Sequence, residues 1–358
     1  MKLRHFDWAL FFVVLILFIL GMVAIYSIDL SRAPQDFFNF KKQAVFGVLG
    51  LFLFFIFSLV DWRVWRNSSR FLYVFGFLML LAVLFLGQTR RASTGWFSVG
   101  GLSIQPVELA KLCLIIGGAA FFSRLGLISN WRDVGKSVFI LLLYLIPVAI
   151  QPDLGGALIL FVIWLGMFLA LKIPKKYLAI LAAVGAVLAV MVWFFFMHDY
   201  QKDRLLVFIQ PDRDPLGRGY NISQALVAIG SGGFLGQGLG GGSQSQLRFL
   251  PEAQTDFIFA VLAEELGFAA VTFIIGAWIF LLYCLVNIAK RASDNFSLFF
   301  LVGTIVLLGA EAAANVGMNL GLLPVAGLTL PFVSLGGSSL VTKFVLLGVA
   351  QSMRIRSY

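Results

Sequence analysis

Ten apolar stretches, each about as long as a membrane-spanning helix, recur along this chain. Crossing the hydrocarbon core of a bilayer takes about 20 mostly apolar residues. The stretches are 8–28, 44–60, 71–87, 106–123, 137–151, 154–171, 177–197, 257–286, 297–319 and 338–353. The fifth is short and contains Pro147. We therefore expect an all-α polytopic membrane protein with about ten transmembrane helices, which form a single integral membrane domain over residues 1–358.

The composition supports a membrane protein over a soluble one. Hydrophobic residues make up 60% of the chain and charged residues only 12%, about half the charged share of a soluble domain. This is too much apolar sequence to bury in one globular core. The first apolar run follows Met1 to His5, is too long for a signal-peptide core and lacks a small-residue cleavage site. It is therefore expected to be the first spanning helix.

Basic residues predict the orientation, because short cytoplasmic loops are enriched in lysine and arginine. If the N-terminus is inside, 15 basic residues fall in cytoplasmic segments and ten outside, and five of those ten lie in the long loop 198–256. In the short loops, therefore, 15 lysines and arginines are on the cytoplasmic side and 5 are outside. This division predicts that both termini lie in the cytoplasm. The net charge of +10 is explained by this topology, and no nucleic-acid binding is expected.

The segment 198–256 interrupts the apolar pattern and is predicted to be one long extracytoplasmic loop between helices seven and eight. A loop of this length in a compact protein is usually functional or disordered. Its aliphatic residues favour a partly ordered segment that lies on the membrane. Residues 236–241 formally match a dinucleotide-binding fingerprint, but no strand or βαβ unit surrounds them. These glycines are predicted to provide turns and close backbone approach.

Carboxylates stand beside prolines at the outer ends of several predicted helices. Asp153 follows Pro152, Glu108 follows Pro106 by two residues, and Asp256 ends the long loop. Helix capping is one interpretation, because carboxylates in a first turn are favoured by the helix dipole. Catalysis is the other. For Asp256 we consider the role of a general base, because a carboxylate at the edge of an apolar region suits that task.

Several ionisable residues lie inside predicted helices, where they are expensive and usually face an interior cavity. Glu108 and Lys111 are three residues apart and therefore face the same side of a helix. A purely structural ion pair is the alternative to a place in a substrate cavity. The same question arises for Glu264, Glu265, Glu311 and Lys343.

Arginines gather on the predicted outer side, where they could contact lipid phosphates or hold a diphosphate. They are Arg90, Arg91, Arg213, Arg218 and Arg248. The two histidines are too far apart in sequence for a histidine-based metal site, so any metal is expected to be a hard divalent cation, Mg²⁺ or Mn²⁺, held by oxygen. Its candidate ligands are Asp256, Glu108 and Asp153. No organic cofactor is expected.

Many short motifs, in order along the chain, resemble the SEDS family (shape, elongation, division and sporulation). The matching stretches are 95–96, 105–111, 151–155, 214–217, 219–220, 228–233, 251–252, 255–259, 264–267, 324–325, 331 and 334–339. The short N-terminus and the stretch 151–155 resemble the elongation member more than the division member. Histidines that are usual after Tyr220 and near Glu252 are absent, and Val107 replaces the usual serine.

The resemblance implies a peptidoglycan glycosyltransferase that polymerises lipid II for cell elongation and shape. It places the family's essential aspartate at Asp256. Cavity or substrate-binding roles follow for a larger set of residues. They are Glu108, Lys111, Trp96, Arg91, Asp153, Arg213, Arg218, Arg248, Glu252 and Ser338. Implied partners are a class B penicillin-binding protein, which is a transpeptidase, and other elongation-complex proteins. The implied location is the bacterial cytoplasmic membrane.

Two other functions are compatible with the residues alone. A lipid II flippase would also place charges such as Glu108, Lys111 and Glu311 inside the membrane. A scaffold that only recruits the transpeptidase would need no polar cavity.

Overall fold

The computed structural model describes residues 5–31, 36–90, 93–99, 102–128, 130–197, 199–210, 214 and 217–356. The first helices are α1 (Trp8–Leu30), α2 (Phe38–Leu59), α3 (Trp62–Asn67) and α4 (Ser69–Leu86). After three strands, the next are α5 (Pro106–Leu125), α6 (Trp131–Ile150), α7 (Leu154–Leu169), α8 (Lys175–Met191), α9 (Asp199–Ile209), α10 (Arg218–Ser231), α11 (Ser243–Gln246), α12 (Ile258–Lys290), α13 (Asn295–Asn319) and α14 (Gly337–Arg356).

Each of the ten predicted spanning segments coincides with a helix, namely α1, α2, α4 to α8 and α12 to α14. Among the described residues, eight helices are long and apolar enough to cross a membrane. The helix α7 has only 16 residues, and α14 carries the buried Lys343 and two arginines in its last turn. The chain is therefore a predominantly helical, multi-pass membrane protein, and the number of ten crossing helices stays a prediction.

Two helix starts were predicted too late. The helix α6 begins at Trp131, six residues before the predicted start at 137, and the Asn130 side chain accepts the Asp133 N–H at 3.1 Å. The helix α2 begins at Phe38 instead of 44. In both cases charged residues interrupt the apolar pattern near the start, Arg132 and Asp133 in α6 and Lys41 and Lys42 in α2, so apolar patterning alone could not detect the start. A capping side chain such as that of Asn130 supplies the missing signal.

A small antiparallel sheet lies where the sequence predicted only a loop. Its strands are β1 (Gln88–Arg90), β2 (Ser93–Val99) and β3 (Leu102–Ile104), in the order β1-β2-β3. The predicted long loop 198–256 is also partly ordered, because it contains α9, α10 and α11. The sheet directly precedes α5, a largely buried helix that contacts α4, α7 and α13.

The helix α12 is broken at Gly267, whose backbone (φ 77°, ψ −175°) is not helical. Four backbone hydrogen bonds join the break to the glycine-rich segment 233–238. They run from Phe268 N to Gly233 O (2.9 Å), Ala269 N to Phe234 O (3.1 Å), Gln237 N to Glu264 O (3.0 Å) and Gly238 N to Glu265 O (2.9 Å). Backbone groups freed in a membrane helix must find partners in protein, and these glycines allow the close approach predicted for them.

Substitution of Gly267 by alanine is expected to destabilise the protein. Its backbone conformation is essentially reserved for glycine and costs other residues about 1–3 kcal/mol, and a Cβ there would lie 2.3 Å from the Gly236 nitrogen. Reversible unfolding in mixed micelles measures the loss. Gly276→Ala is the matched control, because nothing lies within 4 Å of a Cβ at that position of the same helix. Equal stability of the two variants would contradict the prediction.

Candidate active site around Asp256

Asp256 lies where the long loop meets α12, one position before Phe257, which precedes the first helical residue. Its side chain is half-buried. The Glu252 carbonyl accepts the N–H groups of Thr255 at 3.0 Å and Asp256 at 3.1 Å, which forms a tight turn before the helix. A Cβ built on Gly327 would lie 3.9 Å from Asp256 Oδ2. The carboxylate therefore lies next to the connection between α13 and α14.

The backbone that carries Asp256 is anchored at three consecutive carbonyl oxygens. The donors are Leu335 N to Gln254 O (2.8 Å), Ser334 Oγ to Thr255 O (2.6 Å), and the side-chain amides of Asn315 (3.0 Å) and Asn319 (2.8 Å) to Asp256 O. All four donors belong to α13 or to the segment between α13 and α14. Asp256 is thus held by groups that are distant in sequence, at a fixed place beside that segment.

Asp153 lies near the same segment. Its carboxylate accepts the Gly156 N–H at 2.8 Å and caps α7, as the capping interpretation predicts. The next residue but one, Gly155, is so close to the Ala326 carbonyl that a Cβ would lie 2.3 Å from its oxygen. The start of α7 and Asp256 therefore both lie against residues 326–328.

A buried cluster of four charges joins three helices. Lys111 Nζ lies 2.7 Å from Glu108 and 2.6 Å from Glu311, and Lys343 Nζ lies 2.8 Å from Glu311 and 3.8 Å from Glu108. None of the four residues is more than 7% exposed. Two positive and two negative groups balance one another. The ion pair of Glu108 and Lys111, which the sequence left open as the alternative to a place in a substrate cavity, is therefore present as half of a larger network.

The charge cluster is connected to the segment beside Asp256 through hydroxyl groups. Lys343 Nζ donates to Ser339 Oγ, and Ser339 Oγ lies 3.3 Å from Thr329 Oγ1. Next to Ser339, the Ser338 hydroxyl accepts the Gln105 N–H at 3.2 Å and so ties the start of α14 to the start of α5. The predicted residues Glu108, Lys111 and Ser338 therefore belong to one connected region.

The other predicted substrate-binding residues are more dispersed. Trp96 lies on β2 opposite Gln88 and is half-buried. Arg248 and Glu252 are exposed, with left-handed backbones (φ 60° and 54°), in the turns that lead to Asp256. Arg218 is the first residue of α10. Arg91 and Arg213 lie outside the described residues.

Glu264 and Glu265 accept hydrogen bonds from α11 and α1 near the break in α12. Glu264 accepts the backbone N–H groups of Gln244 at 2.8 Å and Ser245 at 3.0 Å. Glu265 accepts the Ser27 hydroxyl at 2.6 Å. Both carboxylates therefore hold α11 and α1 against the break in α12.

The predicted carboxylates do not form a resident metal site. Among the described residues, no three His, Cys, Asp or Glu side chains come together in a way that could hold a metal ion. Glu108 is neutralised by ammonium groups instead. Among the described residues, Asp256, Glu108 and Asp153 are therefore not gathered into one set of ligands, and the Mg²⁺ or Mn²⁺ ion stays a prediction.

Sequence patterns did not single out the residues that hold the Asp256 backbone. Asn315 and Asn319 are fully buried, and Ser334 is 4% exposed. The available signal was the i, i+4 spacing of two amides at the end of an apolar run, which places both on one helix face. Glu311 and Lys343 were recognised as intramembrane charges, but their partners could not be assigned.

Comparison with known proteins identifies the family. The model of cell cycle proteins that covers FtsW, RodA and SpoVE matches residues 7–357. The peptidoglycan glycosyltransferase MrdB of Escherichia coli K12 is 32% identical over 349 residues, which are 98% of this chain and 93% of that protein. Stage V sporulation protein E of Bacillus subtilis 168 is 35% identical over 351 residues, which are 96% and 95% of the two chains.

Solved structures agree with this assignment. A chain from a peptidoglycan synthase complex, in which polymerisation and crosslinking are structurally coordinated, matches with a TM-score of 0.85 at 31% identity, over 99% of this chain and 98% of that chain. The rod shape determining protein RodA of Thermus thermophilus matches with a TM-score of 0.74 at 29% identity, over the same shares. The chain therefore belongs to the FtsW, RodA and SpoVE family, the SEDS family of peptidoglycan glycosyltransferases.

Proposed function

We propose that this chain polymerises lipid II into glycan strands at the outer face of the bacterial cytoplasmic membrane, with Asp256 as the general base. The observation that carries the proposal is the position of Asp256. Its carboxylate is half-buried at the junction of loop and helix, and four hydrogen bonds fix the backbone that carries it. A rigidly held carboxylate at the edge of an apolar region is suited to proton abstraction.

In the proposed reaction, the 4-hydroxyl oxygen of the acceptor sugar attacks the anomeric carbon of the growing chain. The bond between that carbon and the diphosphate oxygen breaks, and undecaprenyl diphosphate leaves. The hydroxyl proton passes to the Asp256 carboxylate. Arginines of the long loop, among them Arg248, Arg218 and Arg213, are proposed to stabilise the negative charge that develops on the diphosphate.

The four-charge cluster is proposed to hold the surrounding helices in place and not to bind the substrate directly. Its charges neutralise one another inside the protein, so little net charge is left to attract a substrate. Its lysines and glutamates instead lock together α5, α13 and α14. The same helices carry Ser338 and the two asparagines that bond the Asp256 carbonyl. Glu108 and Lys111 would in this way shape the cavity.

A divalent cation is proposed to arrive with the diphosphate of the substrate, since the described carboxylates do not fit a resident ion. Polymerisation by the purified protein should then stop in excess chelator and resume when Mg²⁺ or Mn²⁺ is added back. Thermal stability in the absence of lipid II should be unchanged by the chelator. A chelator that lowers the unfolding temperature of the lipid-free protein would instead indicate a resident site.

The proposed partner is a class B penicillin-binding protein, which would crosslink the strands. The related chain from a peptidoglycan synthase complex that coordinates polymerisation with crosslinking supports this pairing. Elongation-complex proteins are proposed as further partners, because a rod shape determining protein is among the similar structures. Both termini are proposed to face the cytoplasm, on the basis of the 15 to 5 division of basic residues in short loops.

One reconstitution distinguishes the polymerase from a flippase or a scaffold. The purified chain is placed in liposomes with fluorescent lipid II, with and without the transpeptidase. A polymerase makes a ladder of glycan strands on a gel, and the ladder depends on Asp256. A flippase would make lipid II accessible to an external quencher without forming polymer. A scaffold would do neither, and either of these two results would overturn the proposal.

A further inference from the structure

Two asparagines on α13 contact the backbone of Asp256, and both are completely buried. Asn315 Nδ2 donates to Asp256 O at 3.0 Å and to Leu328 O at 2.7 Å. Asn319 Nδ2 donates to Asp256 O at 2.8 Å. A buried amide with its hydrogen bonds satisfied fixes the groups it bonds, since losing either partner would leave polar atoms unpaired away from water.

The Asn319 amide is inserted into the first turn of α12. In a helix extended by one turn, the Ala260 N–H would bond the carbonyl oxygen of Asp256, four residues earlier. Here the Ala260 N–H donates to Asn319 Oδ1 at 3.0 Å, while Asn319 Nδ2 donates to that carbonyl. The side chain satisfies both backbone groups, and Asp256 stays outside the helix, which begins at Ile258.

Asn315 connects the Asp256 carbonyl to residues 327–328, which lie beside the Asp256 carboxylate. Its second hydrogen bond goes to Leu328, next to Gly327, the residue whose Cβ position lies 3.9 Å from Asp256 Oδ2. The backbone that carries the carboxylate and the segment facing the carboxylate are therefore joined through one side chain. A shift of either asparagine would move Asp256 relative to residues 327–328.

We propose that Asn315 and Asn319 are positioning residues for glycan polymerisation, which hold Asp256 outside α12 and at a fixed distance from residues 327–328. The inference rests on the proposed role of Asp256 as the general base. In this role the asparagines do not contact the substrate. Their loss should therefore lower kcat while the KM for lipid II changes little.

The test uses Asn319→Leu in the full chain with its transpeptidase. Leucine has nearly the shape of asparagine, but it can neither accept the Ala260 N–H nor donate to the Asp256 carbonyl. We expect kcat to fall about 10- to 100-fold, because a displacement of about 1 Å at a reacting group has effects of this size. The KM for lipid II should stay within about threefold, and Asn319→Gln, which retains the amide, should recover part of the rate.

Thr304→Val is the matched control on the same helix. Thr304 is equally buried, and its hydroxyl donates to its own helix, to Phe300 O at 2.9 Å. All rates are divided by the amount of monodisperse protein, so that a loss of folded material does not count. If Asn319→Leu yields no folded protein, Asn315→Leu carries the same test, since it removes the donor to both Asp256 and Leu328.

The outcomes separate the two proposals. If Asp256→Asn polymerises lipid II at the normal rate, the proposed role of Asp256 as the general base fails, and the positioning role fails with it. If Asp256→Asn is inactive while folded Asn319→Leu and Asn315→Leu retain the normal kcat, only the positioning role is overturned. A rise in KM with unchanged kcat would also overturn it, because it would indicate that the asparagines bind substrate.

Discussion

Replacement of Asp256 by asparagine should abolish glycan polymerisation while the protein remains folded. The amide has the size of the carboxylate but cannot take the acceptor proton, and a general base contributes about 10²- to 10⁴-fold to a rate. The hydrogen bonds from Asn315 and Asn319 are accepted by the backbone carbonyl of Asp256, so the substitution leaves these bonds in place. Strand formation from lipid II on a gel, with the transpeptidase present, measures the effect. Asp256→Ala should be equally inactive.

The matched control is Asp61→Asn. Asp61 also precedes a helix, and its carboxylate accepts the Arg63 N–H at 2.8 Å at the start of α3. This variant should polymerise at the normal rate. Glycan strands of normal length and yield from Asp256→Asn would show that the proton goes elsewhere, and the assignment of the general base would have to be abandoned.

Replacement of Lys343 by methionine should be strongly destabilising. The lysine is 1% exposed and lies 2.8 Å from Glu311, which is also 1% exposed. Without it, two buried carboxylates share a single ammonium group, and removal of one partner from a buried pair costs about 3–5 kcal/mol. The free energy of unfolding in mixed micelles measures the loss. Methionine has nearly the same length, so the change removes charge more than volume.

A double-mutant cycle separates the charge effect from packing. Glu311→Gln combined with Lys343→Met restores zero net charge to the cluster, so the pair should cost much less than the sum of the single changes. Arg63→Met is the control, since the Arg63–Asp61 pair spans 3.6 Å with side chains that are 69% and 36% exposed. Such a pair contributes less than about 1 kcal/mol. Additive single effects at Lys343 and Glu311 would contradict the model of a shared network.

Local sequence was sufficient for much of the fold because membrane helices satisfy their own backbone hydrogen bonds. The helices α1, α5 and α13 lie within a few residues of their predicted limits. Predictions failed where charged residues interrupt the start of a helix, as after Trp131, and where the chain pairs with itself, as in the sheet around Trp96. Strand pairing and capping depend on contacts that an apolar pattern does not contain.

The break in α12 shows the same limit within one helix. The run from 257 to 286 is apolar apart from a few polar residues such as Glu264 and Glu265, so hydropathy predicts one uninterrupted span. The interruption at Gly267 exists because residues 233–238 supply hydrogen bonds to the freed backbone groups. Glycine permits this conformation, but the partner segment, about 30 residues earlier in the chain, stabilises it.

The sequence by itself determined that the chain is a multi-pass membrane protein and that Asp256 ends its long polar loop, since hydrophobicity and residue order need no tertiary contacts. Only the tertiary structure decided what surrounds that aspartate. Asn315, Asn319 and Ser334 are between 59 and 79 residues away along the chain, yet they bond its backbone or that of Thr255. Likewise Glu311 reaches Lys111 across 200 positions. Buried polar groups must find partners wherever packing brings them, and packing depends on the whole chain.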